Sequence, residues 1–269
     1  MRVHIISDIE GVAGIVKWGQ TGGDSPLFQE GRKLYTEEIN AAVRGAKAGG
    51  ATEVVVMDCH GAGSGNDFNS LVPELLDPDC EFVVQEHWTE YTGFLEQGAD
   101  AALFVGMHAM AGTGDGVMNH TVSGRDWQNL WFNDRLVGET GINAALCGNW
   151  GCPVLLVTGD AAACREGKAL LGDGLTTVSV KEGLSALSAR MLPPARARDL
   201  VEAGAKQAVS NLQAVEPYDP GRPSEIRVEF KSTIPASKLR FRAGVELVDP
   251  RTIVSRGDDW WTAWRQFFF

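Results

Sequence analysis

Two carboxylates and two imidazoles in this sequence share one kind of position. Asp8 and Glu10 follow the apolar run Val3 to Ser7, His60 follows Glu53 to Met57, and His108 follows Ala101 to Val105. Short apolar runs of this kind predict buried strands. In an open α/β sheet, groups just beyond the carboxyl ends of the strands gather at one edge. Residues far apart in the chain are thereby expected to meet. Imidazole nitrogen combined with carboxylate oxygen suits zinc, manganese or cobalt better than magnesium or calcium. Asp8, with a short side chain at a strand end, is best placed to be shared between two ions about 3.5–4 Å apart. Paired cations lower the pKa of a water between them, so hydroxide becomes available near neutral pH.

The remaining histidines divide by context. His120 lies in a polar, glycine-flanked stretch, Gly116-Val117-Met118-Asn119-His120, and joins the candidates. His4 is mid-strand and reads as a satisfied core histidine, and His87, beside Trp88, reads as a surface residue. The loop Gly61-Ala62-Gly63-Ser64-Gly65 lacks the Gly-Lys-Ser/Thr ending of a phosphate-binding loop and has no full Gly-x-Gly-x-x-Gly match, which argues against a nucleotide.

Composition narrows the class. The chain has 269 residues, 44% of them hydrophobic, enough for a real core. A net charge of -11 argues against a nucleic-acid partner, whose phosphates would repel it. The N-terminus has too short an apolar run for a signal peptide, and no stretch approaches the roughly 20 apolar residues of a membrane span. The five cysteines, odd in number and irregularly spaced, read as reduced structural thiols. Together these point to a cytoplasmic protein with no membrane partner.

The elements that must position the candidates follow from patterning. A helix is expected over residues 30–48, where Ile39, Ala42, Val43 and Ala46 recur at helical spacing before Gly49-Gly50. Residues 81–84, 153–157 and 176–180 read as further strands, residues 117–123 and 127–133 as a strand pair, and helices are expected from Glu139 and after Gly159-Asp160. The alternation predicts an α/β fold, a mostly parallel sheet flanked by helices. Pro193-Pro194 opens a helix with Leu200, Gly204, Ala208 and Leu212 on one face. Pro217, Pro220 and Pro223 make a linker. Ser224 to Phe230 alternates as a half-exposed antiparallel strand, and Trp260 to Phe267 reads as an aromatic helix. The expectation is one domain over residues 1–269, with residues from about 190 to 269 as a candidate smaller C-terminal α+β subdomain. The aromatic tail, Trp260 to Phe269, either buries an interface between copies of the chain or folds back on its own sheet.

With these residues assembled, a resemblance appears. Asp8-Ile9-Glu10-Gly11, Glu30-Gly31-Arg32, Thr36-Glu37-Glu38-Ile39-Asn40-Ala41 and Asp58-Cys59-His60 are similar to the zinc D-aminopeptidases of the bacterial dipeptide-transport operon. Gly106-Met107-His108-Ala109, Gly116 to His120, Asn133 to Glu139, Gly141 to Ala144 and Pro153 to Asp160 match in the same order. The resemblance is strong to about residue 180. It implies a metallopeptidase with two divalent metal ions, zinc first. Asp8 would bridge them, with Glu10 and His60 completing one site and His108 and Glu139 the other. It also implies that His120 is the catalytic histidine. Chemically, a metal-activated hydroxide is the better attacker, with His120 moving protons or stabilising the oxyanion. Two departures stand out. Where the family carries Ser two places before the bridging Asp, this chain has Ile6, with Ser7 adjacent to Asp8. The stretch from His108 to His120 is one residue longer than usual.

The resemblance further implies a ring-shaped homo-oligomer, a decamer, acting on short peptides with an N-terminal D-residue. Two alternatives remain on the residues alone. One is a metal-dependent hydrolase of another small amide or ester; the other is a metal- or peptide-binding oligomer without catalysis.

Overall fold

The computed structural model describes residues 1–86 and 95–268. His87 and Trp88, expected on the surface, and Phe269 of the aromatic tail lie outside the described residues. In chain order the first half forms β1 (Arg2–Ser7), α1 (Pro26–Ala48), β2 (Glu53–Asp58), β3 (Glu81–Val83), β4 (Ala101–Met107), β5 (Trp127–Phe132), β6 (Arg135–Val137) and α2 (Glu139–Asn149). The second half forms β7 (Val154–Asp160), α3 (Ala161–Leu171), β8 (Thr176–Ser185), β9 (Ser188–Met191), α4 (Pro194–Val209), β10 (Ser224–Phe230), α5 (Thr233–Leu239), β11 (Val245–Asp249), β12 (Thr252–Gly257) and α6 (Trp260–Phe268).

The main sheet runs in the order β3-β2-β1-β4-β7-β8-β9, parallel except for the β8–β9 pair. Every residue of β4 and β7 is buried, which is why these strands are continuous apolar runs. Helix α1 packs on α4, and α2 on α3, against this sheet. The expected α/β architecture is therefore present. Helix α1 begins one turn before the expected residue 30. Ser25 caps it by accepting from the Leu27 amide, and Pro26 fills the first helical position, where no N–H is needed.

The buried face of α4 is Ala197, Val201, Gly204, Ala205, Ala208 and Val209; of the expected face Gly204 and Ala208 lie on it, whereas Leu200 is 42% exposed. Close approach of α1 selects the small residues. A Cβ on Gly45 of α1 would lie 2.2 Å from the carbonyl oxygen of Glu202.

A second, antiparallel sheet runs β11-β12-β10-β5-β6. Strand β10 keeps the expected alternation, with Ile226, Val228 and Phe230 buried. Two of its strands, β5 and β6, come from the middle of the chain. Its cover is α6, whose Trp260, Trp264 and Phe267 pack inward, so the described part of the aromatic tail folds back on its own sheet.

The expected strand over residues 117–123 does not form. Met118 and Val122 have φ of 51° and 58°, outside the β region, and β5 pairs instead with β6 and β10. The amides of Val117 and Val122 donate to the carboxylates of Asp160 and Glu139, which replaces a ladder with side-chain anchors. His4 is buried in β1 as expected, but neither ring nitrogen has a hydrogen-bond partner among the described residues. Burial, reinforced by the nearby Arg2 charge, lowers its pKa to about 4 and keeps it neutral. All five cysteines are free thiols.

Candidate metal centre

Strands β1, β2 and β4 are neighbours, so the residues that follow them emerge at one sheet edge. Backbone contacts then bring the ends of β1 and β4 together. The Asp8 amide donates to the Val105 carbonyl at 2.9 Å, and the Gly11 amide to that of Gly106 at 2.7 Å. Only glycine permits this. A Cβ on Gly11 would lie 2.0 Å from Met107 O, and one on Gly106, at φ +77°, would lie 2.0 Å from Asp8 O. On the other side, Ser7 pairs with Asp58 in the β1–β2 register. Asp58 is fully buried and anchors the His60 turn: its Oδ1 accepts from the His60 amide at 3.1 Å and from the Tyr35 hydroxyl at 3.0 Å. Ser7 Oγ lies 2.6 Å from Tyr35 Oη and donates to the Met57 carbonyl, which ties this serine to the supporting layer behind Asp8.

The candidate residues converge. Asp8 Oδ1 is 3.1 Å from His60 Nδ1, which is also 3.1 Å from Glu10 Oε2. Asp8 Oδ2 is 3.2 Å from His108 Nε2, which is also 3.2 Å from Glu139 Oε1. Asp8 thus turns one oxygen to a histidine–glutamate pair on each side. Asp8, Glu10, His60 and His108 are all buried, and Glu139, the first residue of α2, is partly buried.

Both imidazoles are oriented from behind. His60 Nε2 lies 2.6 Å from the Thr21 carbonyl, and His108 Nδ1 lies 3.0 Å from the Ala109 carbonyl. A carbonyl only accepts, so these nitrogens carry the N–H. In the neutral rings, His60 Nδ1 and His108 Nε2 then present lone pairs toward the carboxylates. Lone pairs facing lone pairs repel unless a proton or a cation stands between them. Burial disfavours protonated His60, but Glu10 and Asp8 outweigh it and hold the pKa well above 6.5; Glu139 and Asp8 do the same for His108. Asp8 is held well below the usual carboxylate range by His108 and His60, against the opposing effect of its own burial. Glu139 is lowered by His108 and His120, again against burial. The arrangement demands positive charge at its centre.

His120 lies beside this cluster on the segment between β4 and β5. Its ring stacks on His108 with centroids 4.0 Å apart, and Trp18 meets it edge-on at 5.5 Å. His120 Nδ1 is 2.9 Å from the Met118 carbonyl, which leaves Nε2 as the free nitrogen, 3.8 Å from Glu139 Oε1. His108, His120 and Glu139 have ligand atoms within 4.8 Å of one another, as do Asp8, Glu10 and His108. His120 is therefore within ligand range as well as within reach of a reacting group.

Several supporting residues carried no local sequence signal for the long-range contacts they make. Lys181 of β8 is buried, and its Nζ donates to the carbonyls of Glu10, Val12 and Ile15, fixing the turn that carries Glu10. Burial lowers its pKa to about 8. Glu38 accepts from the Ala13 amide in the same turn, and burial raises it to about 7. Asp160 caps α3 and holds the Val117 amide, and Glu166, which burial raises to about 7, accepts from the Met110 amide. Asp160 and Glu166 thus fix the start of the His120 segment. All four act across long sequence separations, which local patterning cannot show.

A cavity of about 960 Å³ opens in front of these groups. Asp8, Glu10, His60, His120 and Glu139 line one part of it, and Trp18, Ile142, Trp264 and Phe268 contribute apolar surface. A size and lining of this kind suit a small organic molecule.

Comparison with known proteins identifies the family. A profile of the D-aminopeptidase family matches residues 1–269. A D-aminopeptidase of Bacillus subtilis (strain 168) is 31% identical over 256 residues, which covers 94% of this chain and 90% of the relative. A solved structure described as the Zn-dependent D-aminopeptidase DppA from Bacillus subtilis, a self-compartmentalizing protease, matches with a TM-score of 0.90 at 29% identity, over 99% of this chain and 95% of that one.

Proposed function

The chain belongs to the D-aminopeptidase family, and from that premise we propose that it is a binuclear metallo-aminopeptidase that hydrolyses short peptides or amino-acid amides with an N-terminal D-residue. The observation that carries the binuclear part is the Asp8 carboxylate, with Oδ1 toward His60 and Glu10 and Oδ2 toward His108 and Glu139.

The residues fit a pair of ions. Ligands about 2.0–2.1 Å from a tetrahedral zinc stand roughly 3.3–3.4 Å apart. The spacings of 3.1–3.2 Å between His60, Asp8, Glu10, His108 and Glu139 are close to that. Glu10 Oε2 and His108 Nε2 are buried with no hydrogen-bond partner among the described residues, which is costly unless a cation takes the place of one. Asp8 would bridge, Glu10 and His60 would hold one ion, and His108 and Glu139 the other. Zinc is the metal proposed, on the mixed imidazole–carboxylate donor set and the zinc dependence of the Bacillus relative. When bound, such a pair polarises a carbonyl and makes water acidic enough to attack it near neutral pH.

The chain's own groups supply the rest. His120, fixed at Nδ1 by the Met118 carbonyl, presents Nε2 to take a proton or pass one to the departing amine. Its stacking on His108 restricts it to one orientation. The turn held by Lys181 and the stretch held by Asp160 keep both sides of the site in place before substrate arrives.

Assembly into a ring-shaped homo-oligomer, a decamer, is part of this reading; it is supported by the self-compartmentalizing description of the Bacillus relative. A cytoplasmic location is proposed on the five free thiols. No helix among the described residues is long and apolar enough to cross a membrane. The reading is tested by incubating zinc-loaded protein with paired D- and L-aminoacyl amides and measuring ammonia release. Hydrolysis of the D-series in preference is the expected result; hydrolysis of neither series would refute it.

A further inference from the structure

Helix α6 carries an aromatic column. Trp260 stacks on Trp264 with centroids 5.3 Å apart and planes at 18°, and Trp264 stacks on Phe268 at 4.5 Å and 22°. The i, i+4, i+8 spacing places the three rings one above another on one helix face. The column begins in the core, where Phe132 meets Trp260 and Trp264 edge-on. Trp260 and Trp264 are almost fully buried, while Phe268 is only partly buried. Its far end opens into the cavity that contains the candidate metal residues, for both Trp264 and Phe268 line that cavity. The helix is held from behind. Ser255 Oγ donates to the Ala263 carbonyl at 2.7 Å, and Arg242 donates to the Phe267 carbonyl at 2.7 Å.

The distance from the candidate reaction centre follows from α2. Glu139 opens that helix and Ile142, which also lines the cavity, lies three residues on, on the same side. One helical turn is about 5.4 Å, so the apolar surface begins within one side chain's length of Glu139. Helix α6 packs against α2. Trp18, 47% exposed, adds a further aromatic surface beside His120.

We propose that Phe268 and Trp264, with Ile142 and Trp18, form the pocket for the side chain of the substrate's first residue, and that they select an aromatic or large aliphatic side chain over a small or charged one. The proposal rests on the aminopeptidase reading above. A rigid apolar wall beside a charged centre binds an apolar side chain at little ordering cost, and these four side chains carry no charge to pair with a charged one, although Arg125 and Asp67 line other parts of the cavity. The aromatic faces add ring–ring contacts that an alanine side chain cannot make.

The test uses the full chain, loaded with zinc, and D-phenylalanyl, D-leucyl, D-alanyl and D-glutamyl amides, whose leaving group is ammonia in every case. The expected kcat/KM for D-phenylalanyl and D-leucyl amides exceeds that for D-alanyl amide by at least about tenfold, and D-glutamyl amide is poorest. Phe268→Ala should reduce the phenylalanyl-to-alanyl ratio severalfold, with the protein still folded and bound zinc unchanged, and Phe268→Leu should retain most of it. Calorimetry with the free amino acids gives a readout independent of turnover: D-phenylalanine should bind zinc-loaded protein more tightly than D-alanine, and Phe268→Ala should erase the difference. A D-alanyl preference in the folded wild-type protein would overturn the subsite and leave the aminopeptidase reading intact. Absence of turnover on every amide, with D-phenylalanine still bound selectively, would do the reverse.

Discussion

His120 lies flat against His108, ring centroids 4.0 Å apart and planes at 12°, with the two rings anchored to different backbone carbonyls. His108 turns Nε2 to Asp8 and Glu139 at 3.2 Å, whereas His120 Nε2 stands 3.8 Å from Glu139. In the proposed reading these two neighbouring imidazoles have different work, His108 as a ligand and His120 as a proton carrier.

His120→Ala is expected to keep both metal ions and to lose about 10²–10⁴-fold in kcat, the usual size of a general acid–base or oxyanion contribution. Elemental analysis and steady-state kinetics on the same preparation decide it. Normal turnover would remove His120 from the mechanism, and loss of an ion would make it a ligand.

Asp8→Ala should disturb both ions, because its two oxygens face separate histidine–glutamate pairs. His60→Ala and His108→Ala should each loosen one. Metal content after dialysis separates these outcomes, and retention of both ions by Asp8→Ala would rule out the bridge.

The metal-free protein should depend on pH in a definite direction. His60 and His108 have pKa values raised above 6.5 in the folded state. Their contribution is full below about 6.5 and is lost as pH rises through the raised values. Asp8 and Glu139, with lowered values, contribute above the unfolded 3.8 and 4.5 and lose that contribution only as pH falls through the folded ones. With zinc removed by a chelator, the melting temperature should therefore fall as pH is raised above about 6.5 through the raised values. With zinc bound, cations replace the protons and the fall should largely disappear. Equal pH profiles for the two forms would contradict the charge assignment.

How far the sequence discloses this site differs from residue to residue. Asp8, Glu10, His60 and His108 are legible because each follows an apolar strand, and parallel topology puts strand ends on one edge. Glu139 is not, since a carboxylate opening a helix is ordinary; only the resemblance singles it out. Residues 117–123 mislead for a physical reason. Their β-branched Val117, Thr121 and Val122 imitate a strand, but the partners for the Val117 and Val122 amides are the carboxylates of Asp160 and Glu139. The small-residue face of α4 is chosen by the approach of α1, which periodicity in α4 alone does not reveal. The aromatic tail announces a helix, but not that Trp264 and Phe268 reach the cavity.

Lys181 gives a test of the supporting layer. Lys181→Met would leave three buried carbonyls of the Glu10 turn without their donor. At about 1–3 kcal/mol for each unsatisfied group, a loss of at least ~3 kcal/mol is expected in urea unfolding of the zinc-loaded protein. The ion assigned to Glu10 and His60 should weaken more than its neighbour. Unchanged stability with unchanged affinity for both ions would show that the turn does not depend on Lys181.

The central claim is a two-ion centre that hydrolyses D-aminoacyl amides, and a single titration addresses it. Zinc is added stepwise to metal-free protein while ammonia release is followed from a D-aminoacyl amide and its L-counterpart. The account predicts that D-amide hydrolysis rises to a plateau at two equivalents of zinc per chain, with the L-amide slower throughout. A plateau at one equivalent, or no D-amide hydrolysis at any loading, would contradict it.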